Sequence, residues 1–309
     1  MNVLLAQPRG FCAGVARAVD IAERALEKYG APVYVFHEIV HNGSVVDDLA
    51  SRGAIFVDDI AEIPEGAVTI FSAHGVATAV VEAARLRGLH VIDATCPLVT
   101  KVHLQAERYS QRGYTIVVVG HAGHEEVEGT RGSISGPVHV VGSLADIAEL
   151  PMPADTPIAY VTQTTLSLDD TRDLIDALED RYPEIEGPGL DDICYATQNR
   201  QRAVQQLTRK VDLVLVVGAR NSSNSNRLQE VAADHGVPAR LIEHADEIEA
   251  IWLQHVGHVG VTAGASTPEY LVQGVCVRLR ELGAGAVREL PGLAETVRFR
   301  LPEDLRQSA

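Results

Sequence analysis

The sequence predicts an α/β protein built from three related units in a pseudo-threefold trefoil. Three observations lead there. Short β-branched runs alternate with amphipathic stretches, one cysteine motif occurs three times, and polar loops follow those cysteines at matched distances.

The runs NVLLAQ, VYVFHE, VTIFSA, HVIDAT, TIVVVG, HVVG, IAYVTQ, LVLVVG and HVGVTA are short and rich in Val, Ile and Thr, so they read as strands. Stretches such as ARAVDIAERALEKYG and DDTRDLIDALEDRY repeat their apolar residues with helical spacing. Strand–helix alternation of this kind implies parallel sheet.

The repeat is anchored on cysteine. PRGFCAGV, DATCPLV and DDICYAT each close an extended segment and open an amphipathic helix. His41 lies 29 residues after Cys12, His124 lies 28 after Cys96, and Ser222 lies 28 after Cys194. A second echo, IFVDDIAEIP, HVVGSLADIAELP and RLIEHADEIEAIW, leads each time to a strand with a polar end, FSAHGV, VTQTTLS and VTAGAST. The expected units are therefore 1–95, 96–193 and 194–281, with a C-terminal tail at 282–309. Ligands in open α/β sheets bind beyond the carboxyl ends of the strands. Three units about one axis would turn three cysteines and six polar loops toward a shared cavity; three independent units with similar strand ends are the alternative.

Composition narrows the function. Of 309 residues, 42 are acidic and 26 are Lys or Arg, for a net charge of −16. That balance argues against nucleic-acid binding, which needs basic patches to displace counterions. The start MNVLLAQPRGF has no signal-peptide pattern, and no apolar run approaches the roughly 20 residues of a membrane helix. A cytoplasmic protein without membrane contact is expected, and disulfides are not.

The four cysteines form no C-x-x-C pair, so finger-type zinc spacing is absent. Cys276, in LVQGVCVRLREL, reads as a core residue. Cys12, Cys96 and Cys194 each precede a helix, where the macrodipole favours thiolate. Three thiolates from distant positions suit an iron–sulfur cluster with one open iron, or a Cys₃ zinc with water; three unrelated buried thiols are the remaining possibility.

GARNSSNSNR carries more Ser and Asn than one helix cap requires, and residues 194–240 hold seven Lys or Arg against three acids. A phosphate site at a helix N-terminus is expected, with capping alone as the alternative. His41, His74 and His124 end strands at corresponding places, which points to a shared anion or a proton relay. Glu126 is a candidate proton donor if buried, and a solvated surface residue if not. His37 to His41 match H-E-x-x-H literally, but the segment is β-branched and follows Pro32. The zinc-protease pair needs both histidines on one helical face, so that reading fails.

Together PRGFCAGV, HEIVHN, SAHGV, DATCPLV, GHEEVEGT, TQTTLS, DDICYATQNRQ, GARNSSNSNRL and TAGASTPE closely resemble the 4-hydroxy-3-methylbut-2-enyl diphosphate reductase family, from Pro8 to Glu269. The resemblance implies a [4Fe–4S] cluster on Cys12, Cys96 and Cys194 at the centre of the trefoil. It implies substrate binding by His41, His74, His124, Thr165, Ser222, Ser223, Asn224 and Ser266. It gives Glu126 and Thr164 the proton relay. The implied reaction is reductive dehydroxylation to isopentenyl and dimethylallyl diphosphate. The open iron takes the allylic oxygen, and a ferredoxin or flavodoxin supplies two electrons. A Lewis-acid hydro-lyase and an iron–sulfur regulator are the rival readings. The tail is expected to carry no chemistry.

Overall fold

The computed structural model describes residues 1–306. The chain opens with β1 (Asn2–Leu5), α1 (Ala13–Tyr29), β2 (Val33–Phe36), α2 (Gly43–Ser51), β3 (Ala54–Val57), β4 (Val68–Phe71), α3 (Thr78–Leu86) and β5 (His90–Asp93). It continues with α4 (Pro97–Gln111), β6 (Thr115–Val119), α5 (Glu125–Gly132), β7 (Val138–Val141), α6 (Leu144–Ala148), β8 (Ile158–Thr162) and α7 (Leu168–Arg181). It closes with α8 (Tyr195–Thr208), β9 (Leu213–Val217), α9 (Ser223–Asp234), β10 (Ala239–Ile242), β11 (His258–Ala263), α10 (Glu269–Glu281) and β12 (Val287–Glu289). All nine expected strands are present. The three additional ones, β3, β10 and β12, are edge strands of three or four residues.

The strands make three sheets, in the orders β10-β9-β11-β1-β12, β3-β2-β4-β5 and β7-β6-β8. Every strand pairing among the described residues is parallel. This is the α/β architecture that the alternating pattern predicts.

Two compact units divide the chain. The first comprises Met1–Val15, His41–Val45 and Tyr195–Arg298 and holds the five-stranded sheet. In β9 every residue is buried, because the two faces of the sheet are covered by different helices. Leu213, Leu215 and Val217 pack with Val272, Val275 and Leu279 of α10. Val214 and Val216, pointing the opposite way, pack with Val204 and Leu207 of α8 and Leu228 of α9. Alternation at a period of two, with both faces apolar, marks a central strand of a doubly covered parallel sheet.

Strand β1, at the start of the expected unit 1–95, belongs to this five-stranded sheet. Val3 and Leu5 lie in one apolar layer of the five-stranded sheet, and Leu4 and Ala6 in the other. The two faces of β1 are covered by these layers, and its backbone pairs laterally with β11 and β12. The tail is also drawn in, since β12 lies within 282–309.

The second unit comprises Ala16–Val40, Val46–Cys194 and 299–306 and holds the four- and three-stranded sheets. Helix α4 follows β5 of one sheet and packs Val102 and Ala106 against Ile116, Val118, Ala159 and Val161 of the other. The residues between His37 and Asn42 are not helical, and His37 adopts φ 60°. The apparent H-E-x-x-H motif thus has no helical face. Among the described residues no helix is long and apolar enough to cross a membrane.

Candidate functional site

Each sheet has one of the three motif cysteines associated with it. Cys12 follows β1 and Cys96 follows β5, whereas Cys194 follows α7 and is held to Thr164, just past the carboxyl end of β8. Each immediately precedes a helix of 14 to 17 residues, with Cys96 itself the N-cap of α4. The Val15 amide donates to Cys12 Sγ at 3.4 Å, a helix-start N–H directed at sulfur. Such positions lower the cost of a thiolate. None of the four cysteines is in a disulfide, and the three motif thiols are partly exposed, whereas Cys276 is buried in α10. Burial raises the Cys276 thiol pKa, as expected of a structural residue. The donor set of three accessible soft ligands at helix starts fits a thiolate-held metal group.

A shared backbone contact supports the repeat. The Cys12 amide donates to Ala265 O at 3.1 Å, the Cys96 amide to Ala73 O at 3.0 Å, and the Cys194 amide to Thr164 O at 3.0 Å. The residues directly after these acceptors are Ser266, His74 and Thr165. All three are candidate binding residues, so every cysteine is fixed to the turn that presents one.

Glu126 is not a solvated surface residue: it is buried, with 3% of its surface exposed. Its Oε1 accepts the Thr164 amide at 2.6 Å, and its Oε2 accepts the Thr164 hydroxyl at 3.0 Å. Thr164 therefore contacts the carboxylate through its N–H and O–H, and Cys194 through its carbonyl. His124 is the N-cap of α5 and accepts the Glu126 amide at Nδ1, 3.1 Å away. In the neutral ring this puts the proton on Nε2. His74 Nδ1 lies 2.7 Å from Glu125 Oε2, and its ring meets that of His124 edge-on at 6.1 Å between centroids. The Gln163 side-chain amide donates to Thr165 Oγ1 at 2.9 Å.

In the unit with the five-stranded sheet, Ser266 Oγ donates to the His41 carbonyl at 2.8 Å, and Asn221 Nδ2 lies 3.5 Å from His41 Nδ1. Ser222 caps α9 by accepting the Ser225 amide at 3.3 Å. Ser223 is the first residue of that helix. Capping does not account for Asn224. Its Oδ1 accepts the Ala265 amide at 2.8 Å, while its Nδ2 is buried without a hydrogen-bond partner. An orphaned donor beside a helix N-terminus suits an oxyanion.

Four of the seven cations in residues 194–240 have other partners. Arg200 is fully buried against Glu295, Arg220 pairs with Glu247, Arg227 pairs with Glu230, and Arg240 lies over Trp252. The loop itself offers hydroxyl, amide and backbone donors. Sequence reading passed over Glu125 and Asn221; their contacts to His74 and His41 were their only distinguishing feature, and spacing does not reveal contacts.

A family model described as LytB protein matches residues 3–280. The 4-hydroxy-3-methylbut-2-enyl diphosphate reductase 2 of Bradyrhizobium diazoefficiens is 58% identical over 308 residues, covering 100% of both chains. The 4-hydroxy-3-methylbut-2-enyl diphosphate reductase of Zymomonas mobilis subsp. mobilis is 55% identical over 306 residues, covering 99% of this chain and 90% of that one. The solved structure of the E-1-hydroxy-2-methyl-but-2-enyl-4-diphosphate reductase from Plasmodium falciparum matches with TM-score 0.93 and 36% identity, over 98% of this chain and 96% of that one. A second solved reductase, described as the terminal enzyme of the non-mevalonate pathway, matches with TM-score 0.65 and 35% identity, over 91% and 100%.

Proposed function

The chain belongs to the LytB protein family, and on that premise we propose that it reduces (E)-4-hydroxy-3-methylbut-2-enyl diphosphate to isopentenyl and dimethylallyl diphosphate. It is thus an oxidoreductase of the non-mevalonate route to isoprenoids. The observation that carries the mechanism is the Glu126–Thr164 pair, buried and hydrogen-bonded through the Thr164 carbonyl to the Cys194 amide.

Cys12, Cys96 and Cys194 would hold a [4Fe–4S] cluster, which supplies electrons one at a time and an open coordination position. The rest is work for the protein's own groups. Asn224 Nδ2, the hydroxyls of Ser222, Ser223, Thr165 and Ser266, and His41, His74 and His124 bind the diphosphate. Helix starts and neutral donors contribute to holding it. Holding that end positions the allylic alcohol for reaction.

Loss of the hydroxyl as water consumes two electrons and two protons. One proton goes to the departing oxygen, and the other to one of two allyl carbons. Thr164 and Glu126 can exchange roles as donor and acceptor across one hydrogen bond, so the pair can pass a proton toward the oxygen without moving either side chain. Burial keeps bulk water from competing for that proton. A ferredoxin or flavodoxin is the proposed electron donor, and the cytoplasm the proposed location. The three α/β units, each presenting one cysteine, are the proposed functional partition of the chain.

The test is an anaerobic assay of the iron-loaded protein with the diphosphate substrate and dithionite. Two reducing equivalents should be consumed per isopentenyl or dimethylallyl product. Product without net reduction would mean a hydro-lyase. No product from fully iron-loaded protein would remove the enzymatic reading and favour a regulator.

A further inference from the structure

Arg200 is the largest fully buried side chain described, and nothing in the proposed chemistry uses it. It lies on α8, six residues after Cys194. Its Nε and Nη2 both donate to the Gly10 carbonyl, at 3.1 and 2.6 Å. Its Nη1 donates to the Ala196 carbonyl at 2.9 Å. The carboxylate of Glu295 completes the set, accepting from Nη1 at 3.1 Å and from Nη2 at 3.2 Å. The Asn199 amide adds a further bond to Glu295 at 3.0 Å. All five N–H groups of the guanidinium are therefore used.

Two of these partners bear on cysteine placement. Gly10 stands two residues before Cys12, in a left-handed conformation with φ 67°. The Gly10 and Cys12 amides are held by Ala263 O and Ala265 O at 3.2 and 3.1 Å. Arg200 grips the same loop through the Gly10 carbonyl. A guanidinium can sit this deep only with its charge matched, and the match comes from Glu295, in the C-terminal segment. Without that carboxylate, a buried cation would be left at the Gly10 carbonyl, and the loop would have to open to hydrate it.

We propose that Arg200 and Glu295 are positioning residues that lock the Cys12 loop, with the C-terminal segment as the tether that closes it. The inference rests on reading Cys12 as a metal ligand, but its test does not depend on turnover.

The experiment uses the full-length protein, first metal-free under anaerobic conditions. Alkylation of each cysteine by iodoacetamide is followed by peptide mass spectrometry, with Cys276 as the reporter of global opening. Glu295→Gln removes the charge while keeping shape, and Arg200→Lys keeps the charge but loses the fork. Each should speed alkylation of Cys12 about tenfold or more while leaving Cys276 unchanged. In the iron-loaded protein, the same variants should lose iron faster on gel filtration and shift the electron paramagnetic resonance of the reduced cluster. A Cys12 rate within about twofold of the unaltered protein in both variants would overturn the proposal. So would Cys12 and Cys276 accelerating together in both, since that marks general loosening. If the unaltered protein binds no iron, it is the ligand assignment that falls; the alkylation result still decides the tether.

Discussion

At the scale of single residues, chemistry is concentrated in groups whose surroundings leave little choice of role. Glu126 is buried, with both oxygens engaged by Thr164. Replacing it with Gln keeps the shape and removes the proton. We expect Glu126→Gln to retain iron and substrate affinity while turnover falls roughly 10²–10⁴-fold, measured by anaerobic steady-state kinetics. Near-normal turnover would end the relay. The cysteines divide as their positions do. Ser at position 12, 96 or 194 should abolish the cluster absorbance near ~410 nm, whereas Cys276→Ser should leave it intact. For Asn224, an unpartnered buried Nδ2 predicts a substrate effect. Asn224→Ala should raise KM about tenfold or more, since a hydrogen bond to a charged group is worth about 1.5–3 kcal/mol. An unchanged KM would place the diphosphate elsewhere.

At the scale of elements, α4 does more than start with a cysteine. Its His103 packs beneath the turn that follows His74. A Cβ at Gly75 would stand 2.9 Å from His103 Cε1, and Gly75 itself has φ 79°, so the turn tolerates no side chain. Burial lowers the pKa of His103 to about 4, against a smaller upward pull from Asp93. The unfolded chain binds this proton near 6.5 and the folded chain only near 4. The contribution is therefore fully present above about pH 6.5 and is lost as pH falls toward 4, by up to about 3 kcal/mol. Denaturant titrations at about pH 7 and about pH 4.5 should show that loss, and His103→Leu should shrink it. Equal pH dependence in the variant would refute the assignment.

The strands with apolar residues on both faces, such as β6 and β9, were legible in the sequence because burial on two sides demands continuous Val, Ile and Leu. β3, β10 and β12 escaped notice because edge strands are short and keep exposed residues. Among site residues, the cysteines and the Ser/Asn loop were legible through repetition. The partners that hold them were not: Arg200 read as one more cation for phosphate, and Glu295 as part of an idle tail.

At the scale of the whole molecule, charge dominates encounters. With a net charge of −16, the protein repels an acidic carrier at long range. Raising ionic strength from about 0.01 to about 0.15 M shortens the screening length from about 30 to about 8 Å, so the rate with an acidic ferredoxin should rise with salt. A rate that falls steeply instead would reveal a local basic docking face strong enough to outweigh the overall charge.

One feature of connectivity governs how such a molecule comes into being. The strand Asn2–Leu5 is flanked by β11 and β12, which lie about 250 residues or more further along the chain. At about 5–20 residues per second, the ribosome leaves that strand without its neighbours for roughly half a minute. Cys12 thus has no settled home until β11 and β12 have both emerged. Loading of the proposed cluster has to wait for those strands, and a nascent chain stalled before Val287 would expose an apolar ribbon where the folded protein has its core.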